Sequence, residues 1–225
     1  MLILAFDAST SVTTVALART EGDARQVLAE VSVSARGASG ALLPAVNAAL
    51  DLAGEELACV ERVLAGVGPG TFTGIRIAAA TARALALATG AALSKNSTLA
   101  ALAAPALSGG TPDVLAVLDA RRGQIFVQRF SDAGSTPSEI SCERPEALSA
   151  EGAPLLLGDG AVRYREALSY LGRIPADDSP LHRVTAAGHV LSADLAPVGA
   201  EALVPIYVRE PDAEVRRDLN PWSRP

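Results

Sequence analysis

The sequence predicts an α/β fold built from two similar halves, and two observations carry that expectation. A strand, acid, turn, strand unit occurs twice: Leu4-Ala5-Phe6-Asp7-Ala8 and Ala116-Val117-Leu118-Asp119-Ala120 align when 112 is added to each number of the first. Between the two units, an apolar strand runs through a glycine-rich loop into an alanine-rich helix, as in strand and helix alternation. With 225 residues and 49% hydrophobic content, the chain can bury roughly 70% of its unfolded surface. It needs no metal or disulfide to hold a core.

Taken in order, residues 2–6 form an apolar run that stops at Asp7, Ala8-Ser9-Thr10-Ser11 makes a turn, and residues 12–19 return as a second strand. Apolar residues at Leu42, Leu43, Val46, Leu50 and Ala53 predict a helix over 39–53, with Pro44 near its first turn and Gly54 as its C-terminal cap. A strand is expected at 62–67 and a helix at 75–89, capped by Thr71 or Thr73 and closed by Gly90. The second half repeats the hairpin at 114–118 and 124–130 across the polar turn Arg121-Arg122-Gly123. Leu155-Leu156-Leu157 reads as a strand before the tight turn Gly158-Asp159-Gly160, helices follow at 161–171 and 186–195, and 204–209 is extended. Beyond Glu210 the charges and prolines predict an exposed tail.

A net charge of −6 argues against a free-standing nucleic-acid reader, because phosphate is repelled unless a local basic patch or a partner intervenes. Cys59 and Cys142 lie in no metal-ligand spacing, so a reducing, cytoplasmic home is expected. The apolar start Met1–Phe6 is too short for a span and lacks a basic start and a cleavage site, and so reads as a strand. The helix at 75–89 is unusual. No Asp or Glu occurs from Arg62 through Pro112, and the helix carries only Arg76 and Arg83 on one stripe. A helix so apolar is buried on more than one side, either wholly in its own core or partly against a second protein.

Two features could carry chemistry. The loop Gly66-Val67-Gly68-Pro69-Gly70-Thr71-Phe72-Thr73-Gly74 precedes a helix N-terminus and could cradle a phosphate, or could be a tight structural turn. It fits neither GxxxxGK[ST] nor GxGxxG, since Thr71 or Thr73 stands where a third glycine is required. Asp7 and Asp119 at strand ends could hold Mg²⁺ through water or orient a nucleophile, or could cap their own turns. His182 and His189 match no HxxxH or HExxH spacing and are expected at the surface without a ligand. No GxSxG is present to frame a Ser-His-Asp triad.

Together, Asp7-Ala8-Ser9-Thr10, Gly68-Pro69-Gly70-Thr71-Phe72-Thr73-Gly74-Ile75-Arg76, Asp119-Ala120-Arg121-Arg122-Gly123-Gln124 and Pro205-Ile206-Tyr207-Val208-Arg209 resemble the bacterial TsaB family, also called YeaZ, from residue 1 to about 210. The resemblance implies a duplicated actin-like, sugar-kinase-like (ASKHA, ribonuclease H-like) fold. Residues 1–108 would form an N-terminal subdomain with partner-binding helices, 109–210 a C-terminal subdomain, and 211–225 the tail. In nucleotide-binding relatives the first hairpin reads DxGT; here Ser9 replaces that glycine, and Arg121-Arg122 fill the second hairpin. Asp7, Ser9, Thr10, Gly68, Gly70, Thr71 and Asp119 are accordingly degenerate phosphate loops with no assigned cofactor.

The family's catalytic sister, TsaD, transfers a threonylcarbamoyl group to the adenosine beside the anticodon of tRNAs reading codons that begin with A, using a metal held by an HxxxH pair. Lacking that pair, this chain is expected to be a non-catalytic partner of TsaD, working with the ATPase TsaE. ATP and metal would belong to the partners, and tRNA would be met only through the complex. The alternative is an ATP-dependent small-molecule kinase or ATPase using the degenerate loops. The resemblance places the partner contact, or a homodimer contact, on the two N-terminal helices: Leu42, Leu43, Val46 and Leu50 with Ile77, Ala80, Thr81, Ala84 and Ala88. Many members carry a His or a charged group before the first helix, where this chain has Gly37-Ala38-Ser39-Gly40.

Overall fold

The computed structural model describes residues 1–34, 38–131 and 136–208. The tail expected at 211–225, and Arg209 and Gly37 of the strings above, lie outside the described residues. The first sheet contains β1 (Leu2–Asp7), β2 (Val12–Glu21), β3 (Ala24–Ser34), β4 (Arg62–Gly66) and β5 (Ala92–Asn96), in the order β3-β2-β1-β4-β5. The second contains β6 (Asp113–Arg121), β7 (Gln124–Ser131), β8 (Ser141–Glu143) and β9 (Leu155–Leu157), in the order β8-β7-β6-β9. Each sheet therefore runs third, second, first, fourth strand of its own half. In each, the first strand is antiparallel to the second and parallel to the fourth. The duplication read from two aspartates is thus a duplication of topology, and the fold is the duplicated actin-like α/β architecture.

Helices α1 (Ala38–Ala53) and α2 (Phe72–Thr89) cover one face of the first sheet. Their buried residues recur at three and four: Leu42, Ala45, Val46, Ala49 and Leu50 on α1, and Ile75, Ala78, Ala79, Ala82, Leu85 and Ala86 on α2. Those stripes, apart from Ile75, join Leu4, Phe6, Val15 and Leu17 in one core. Pro44 lies inside α1, later than the first-turn position expected, on the exposed side. Thr71 is the N-cap of α2 in extended backbone, and Gly90 closes it at φ 76°, a left-handed geometry that glycine adopts without strain.

α3 (Thr98–Ser108) packs on the second sheet, where Leu99, Leu102 and Ala106 meet Ala116, Leu118 and Phe126. The sheet's other face is covered by α4 (Asp159–Arg163) and α5 (Arg165–Leu168). The single helix expected over 161–171 is broken at Tyr164, whose φ of −110° and ψ of 30° are not helical. α6 (Ala186–Ser192), shorter than the 186–195 expected, crosses back to the first sheet, where Ala186 and Val190 pack against Ile3, Ala5, Ala16 and Leu64. The chain beyond it stays there: Val198 bridges to Leu93, and Ile206 N–H donates to Val67 O at 2.8 Å. No helix among the described residues is long and apolar enough to cross a membrane.

Candidate functional site

Asp7 ends β1 inside the protein, with 1% of its surface exposed. Its Oδ1 accepts the Ser9 N–H at 2.5 Å, its Oδ2 accepts the Thr98 hydroxyl at 2.7 Å, and His189 Nε2 lies 2.8 Å from the same Oδ2. Because the Thr98 proton goes to Asp7, Ser9 Oγ is the donor in its 3.0 Å contact with Thr98. Burial pushes the Asp7 carboxyl up, but the His189 imidazole and the Ser9 donors outweigh it and hold the group below the ordinary carboxylate range. An ionised carboxylate requires His189 Nε2 to carry the proton between them. Thr10 closes its own turn, its hydroxyl donating to Val12 O at 3.0 Å.

The glycine loop is built against this turn. A Cβ on Gly66 would overlap the Asp7 carboxylate, one on Gly70 would lie 2.6 Å from Ser9 Cβ, and one on Gly74 would overlap Ala8 O. Thr71 N–H donates to Ser9 O at 2.7 Å, and Gly68 O accepts the Thr98 N–H at 2.9 Å. Of the two readings open in the sequence, the geometry supports the structural turn: the close approach that these glycines permit is to residues 7–9 of the chain itself.

Asp119 does in the second half what Asp7 does in the first, accepting through Oδ1 the N–H two residues on, from Arg121 at 2.9 Å. Its Oδ2 meets Arg163 at 3.2 Å and Arg121 at 3.4 Å. Its own N–H donates to Asp159 Oδ1 at 2.9 Å. Burial raises the Asp159 carboxyl, with the nearby Asp119 charge adding to it. Arg121 and Arg122 hold left-handed backbone at φ 66° and 53°, uncommon for residues with side chains. Both aspartates thus cap their own turns and meet side chains from distant helices, Asp119 at Arg163 of α4 and Asp7 at Thr98 of α3 and His189 of α6.

The histidines were expected at the surface, and the structure places both inside. His182 Nδ1 accepts the Gly158 N–H at 3.1 Å, which leaves Nε2 as the protonated nitrogen facing Pro175 O at 3.3 Å. His189 lies on the inner face of α6 beside Ala186 and Val190, a helical spacing that was the available signal of its burial. Among the described residues no group of three His, Cys, Asp or Glu side chains is placed to hold a metal.

The expected partner face needs correction on α1. Leu42, Val46 and Leu50 belong to the core under the helix, because the stripe at four-residue spacing is the one that meets the sheet. Leu43 alone of the four reaches the surface, 53% exposed. On α2, Ala80, Ala84 and Ala88 are exposed, and Ile77 and Thr81 are half-buried. Leu87 stands out of the same face, 89% exposed, and Leu52 is exposed at the last turn of α1. One edge of α2 is covered by the chain itself. Arg76 lies 3.6 Å from the Phe72 ring centroid and donates to Tyr207 OH at 2.8 Å, while Arg83 donates to Ala200 O at 2.9 Å and Leu203 O at 2.8 Å. Both charges of α2 are engaged there, so the remaining exposed face is uncharged and apolar.

The family model described as TsaD, tRNA N6-adenosine threonylcarbamoyltransferase, matches residues 31–149. An uncharacterized protein of Mycobacterium tuberculosis is 32% identical over 213 residues, 94% of this chain and 93% of that one. The tRNA threonylcarbamoyladenosine biosynthesis protein TsaB of Escherichia coli is 35% identical over 127 residues, 56% of this chain and 53% of that one. The solved structure of YeaZ from Pseudomonas aeruginosa is similar at a TM-score of 0.73 and 28% identity, over 92% of this chain and 99% of that one.

Proposed function

The chain belongs to the TsaB (YeaZ) family, and we propose that it takes part in tRNA threonylcarbamoyladenosine biosynthesis as a non-catalytic subunit that binds and supports TsaD, together with TsaE. The observation that carries this reading is the uncharged outer face of α2, where Ala80, Ala84, Leu87 and Ala88 lie open, with Leu43 and Leu52 exposed on the neighbouring helix α1. Alanines four apart let a partner helix approach closely, and exposed leucines supply the side chains that gain from being covered. A stable contact there would bury about 1,200–2,000 Å² in total.

The turn at 7–9 supports the non-catalytic half of the reading. A phosphoryl-transfer site needs an acid free to hold Mg²⁺ and a loop free to receive phosphate. Here the Asp7 carboxylate is engaged by Ser9, Thr98 and His189, and the glycine loop is closed on Ser9. On this reading ATP and metal belong to the partner proteins.

The test is co-purification of the cognate TsaD with the wild-type chain and with Ala84→Glu and Leu87→Glu. Both variants place a charge on an exposed position and leave the core alone. Loss of the complex in both, with unchanged folding, is the expected result; an intact complex in both refutes this surface. Val46→Glu is no test of it, because Val46 is in the core. Light scattering on the chain alone and with TsaD separates a heterodimer from a homodimer that ignores TsaD.

A further inference from the structure

The two helices between the sheets pack on each other and share one hydrogen-bond acceptor in the first sheet. α3 packs on the second sheet and on α6, and α6 packs on the first sheet. Asp7 Oδ2 accepts the hydroxyl of Thr98, the first residue of α3, and also faces Nε2 of His189, in the middle of α6. Asp7 itself belongs to β1 of the first sheet. The Asp7 and His189 side chains are buried, so water does not compete for these bonds.

The ends of α6 are held by the first sheet as well. Thr14 Oγ1 of β2 accepts the Ala186 N–H at 3.0 Å, and Glu30 Oε1 of β3 accepts the Ala187 N–H at 2.9 Å. Arg25, also of β3, donates to the carbonyls of Val190, Leu191 and Ala193 at the other end. An acid at the first turn and a cation at the last complement the helix dipole and satisfy groups that the helix cannot satisfy itself.

We propose that Asp7 is the pin of an interlobe latch, fastening α3 and α6 to β1 so that the two halves move as one body. The carboxylate that resembles a metal-holding acid is used to fix the angle between the sheets. Removing either donor leaves the other bond in place but loosens the tie of that helix to β1. The two losses are coupled rather than independent, because both bonds end on the same carboxylate oxygen.

The test measures the distance distribution between spin labels on the two halves of the full chain, one at exposed Cys59 and one at Tyr170→Cys, with Cys142 replaced by serine. In this background the expected distribution is single and narrow. It broadens or splits in Thr98→Val and in His189→Leu, and narrows again in His189→Gln, whose amide can donate to Asp7. Leu42→Ala, which loosens the core on the opposite face of the first sheet, serves as a control that lowers stability without touching the pin. Broadening in the first two variants with none in the control supports the latch. Unchanged distributions in both, or equal broadening in the control, overturn it. Should His189→Leu not fold, Thr98→Val decides alone, since it removes one hydroxyl and keeps the shape.

Discussion

Leu87 offers the sharpest test of the docking face. It is 89% exposed in the free chain, so truncating it to alanine removes almost no packing there and should leave stability within about 0.5 kcal/mol. If a partner covers it, nearly the whole side chain leaves water on binding, worth about 2 kcal/mol. That loss corresponds to about a thirtyfold weaker Kd. Isothermal calorimetry of Leu87→Ala against cognate TsaD, beside thermal melts of the free variant, reads both quantities. A weaker Kd with an unchanged melt is expected. An unchanged Kd would show that nothing covers Leu87, and a melt lowered by several degrees would show that it already packs in the free chain; either outcome rules this contact out.

Further outcomes follow from the buried groups. Asp7 is held below its ordinary value, so its contribution to stability is complete above about pH 3.9 and is lost as pH falls through the lowered folded value. Asp7→Asn should lose about 2 kcal/mol or more at pH 7 and show a shallower acid slope below pH 4, as read from urea unfolding at stepped pH. Gly74→Ala forces a Cβ into Ala8 O and should destabilise the chain by more than about 2 kcal/mol, measured by the same unfolding; a neutral effect would show that the loop is free to move away. Arg83→Ala removes two bonds to the segment at 200–203 and should speed proteolytic cleavage near Ala200 while far-UV circular dichroism stays unchanged.

The paired hairpins and the two N-terminal helices were legible because their signals are local. Strands ending in an acid before a polar turn, and apolar residues at three and four, need no knowledge of the rest of the chain. β3 was missed because it is an edge strand with no fully buried side chain, and a register shift against β2 interrupts its alternation before Ala29. α3 was missed for the opposite reason: Leu99, Ala101, Leu102, Ala103, Ala104 and Ala106 are all buried, so no polar face marks its period.

At the candidate site, both aspartates were visible as residue types at strand ends. The His189 partner of Asp7 was not, because a contact across 182 residues leaves no trace in local spacing. The same limit explains the misplacement of Leu42, Val46 and Leu50. A regular stripe on a helix beside a sheet is the mark of the core, whereas the informative surface residues are those that break it, such as Leu43 and Leu87.

On the proposed function, the outer face of α2 and the exposed side chains of α1 receive a second polypeptide. Hydrogen exchange on the whole chain, alone and saturated with cognate TsaD, measures this directly. New protection is expected in α1 and in residues 77–88 of α2. Complex formation with those amides unchanged, and protection arising instead at the second sheet, would contradict it.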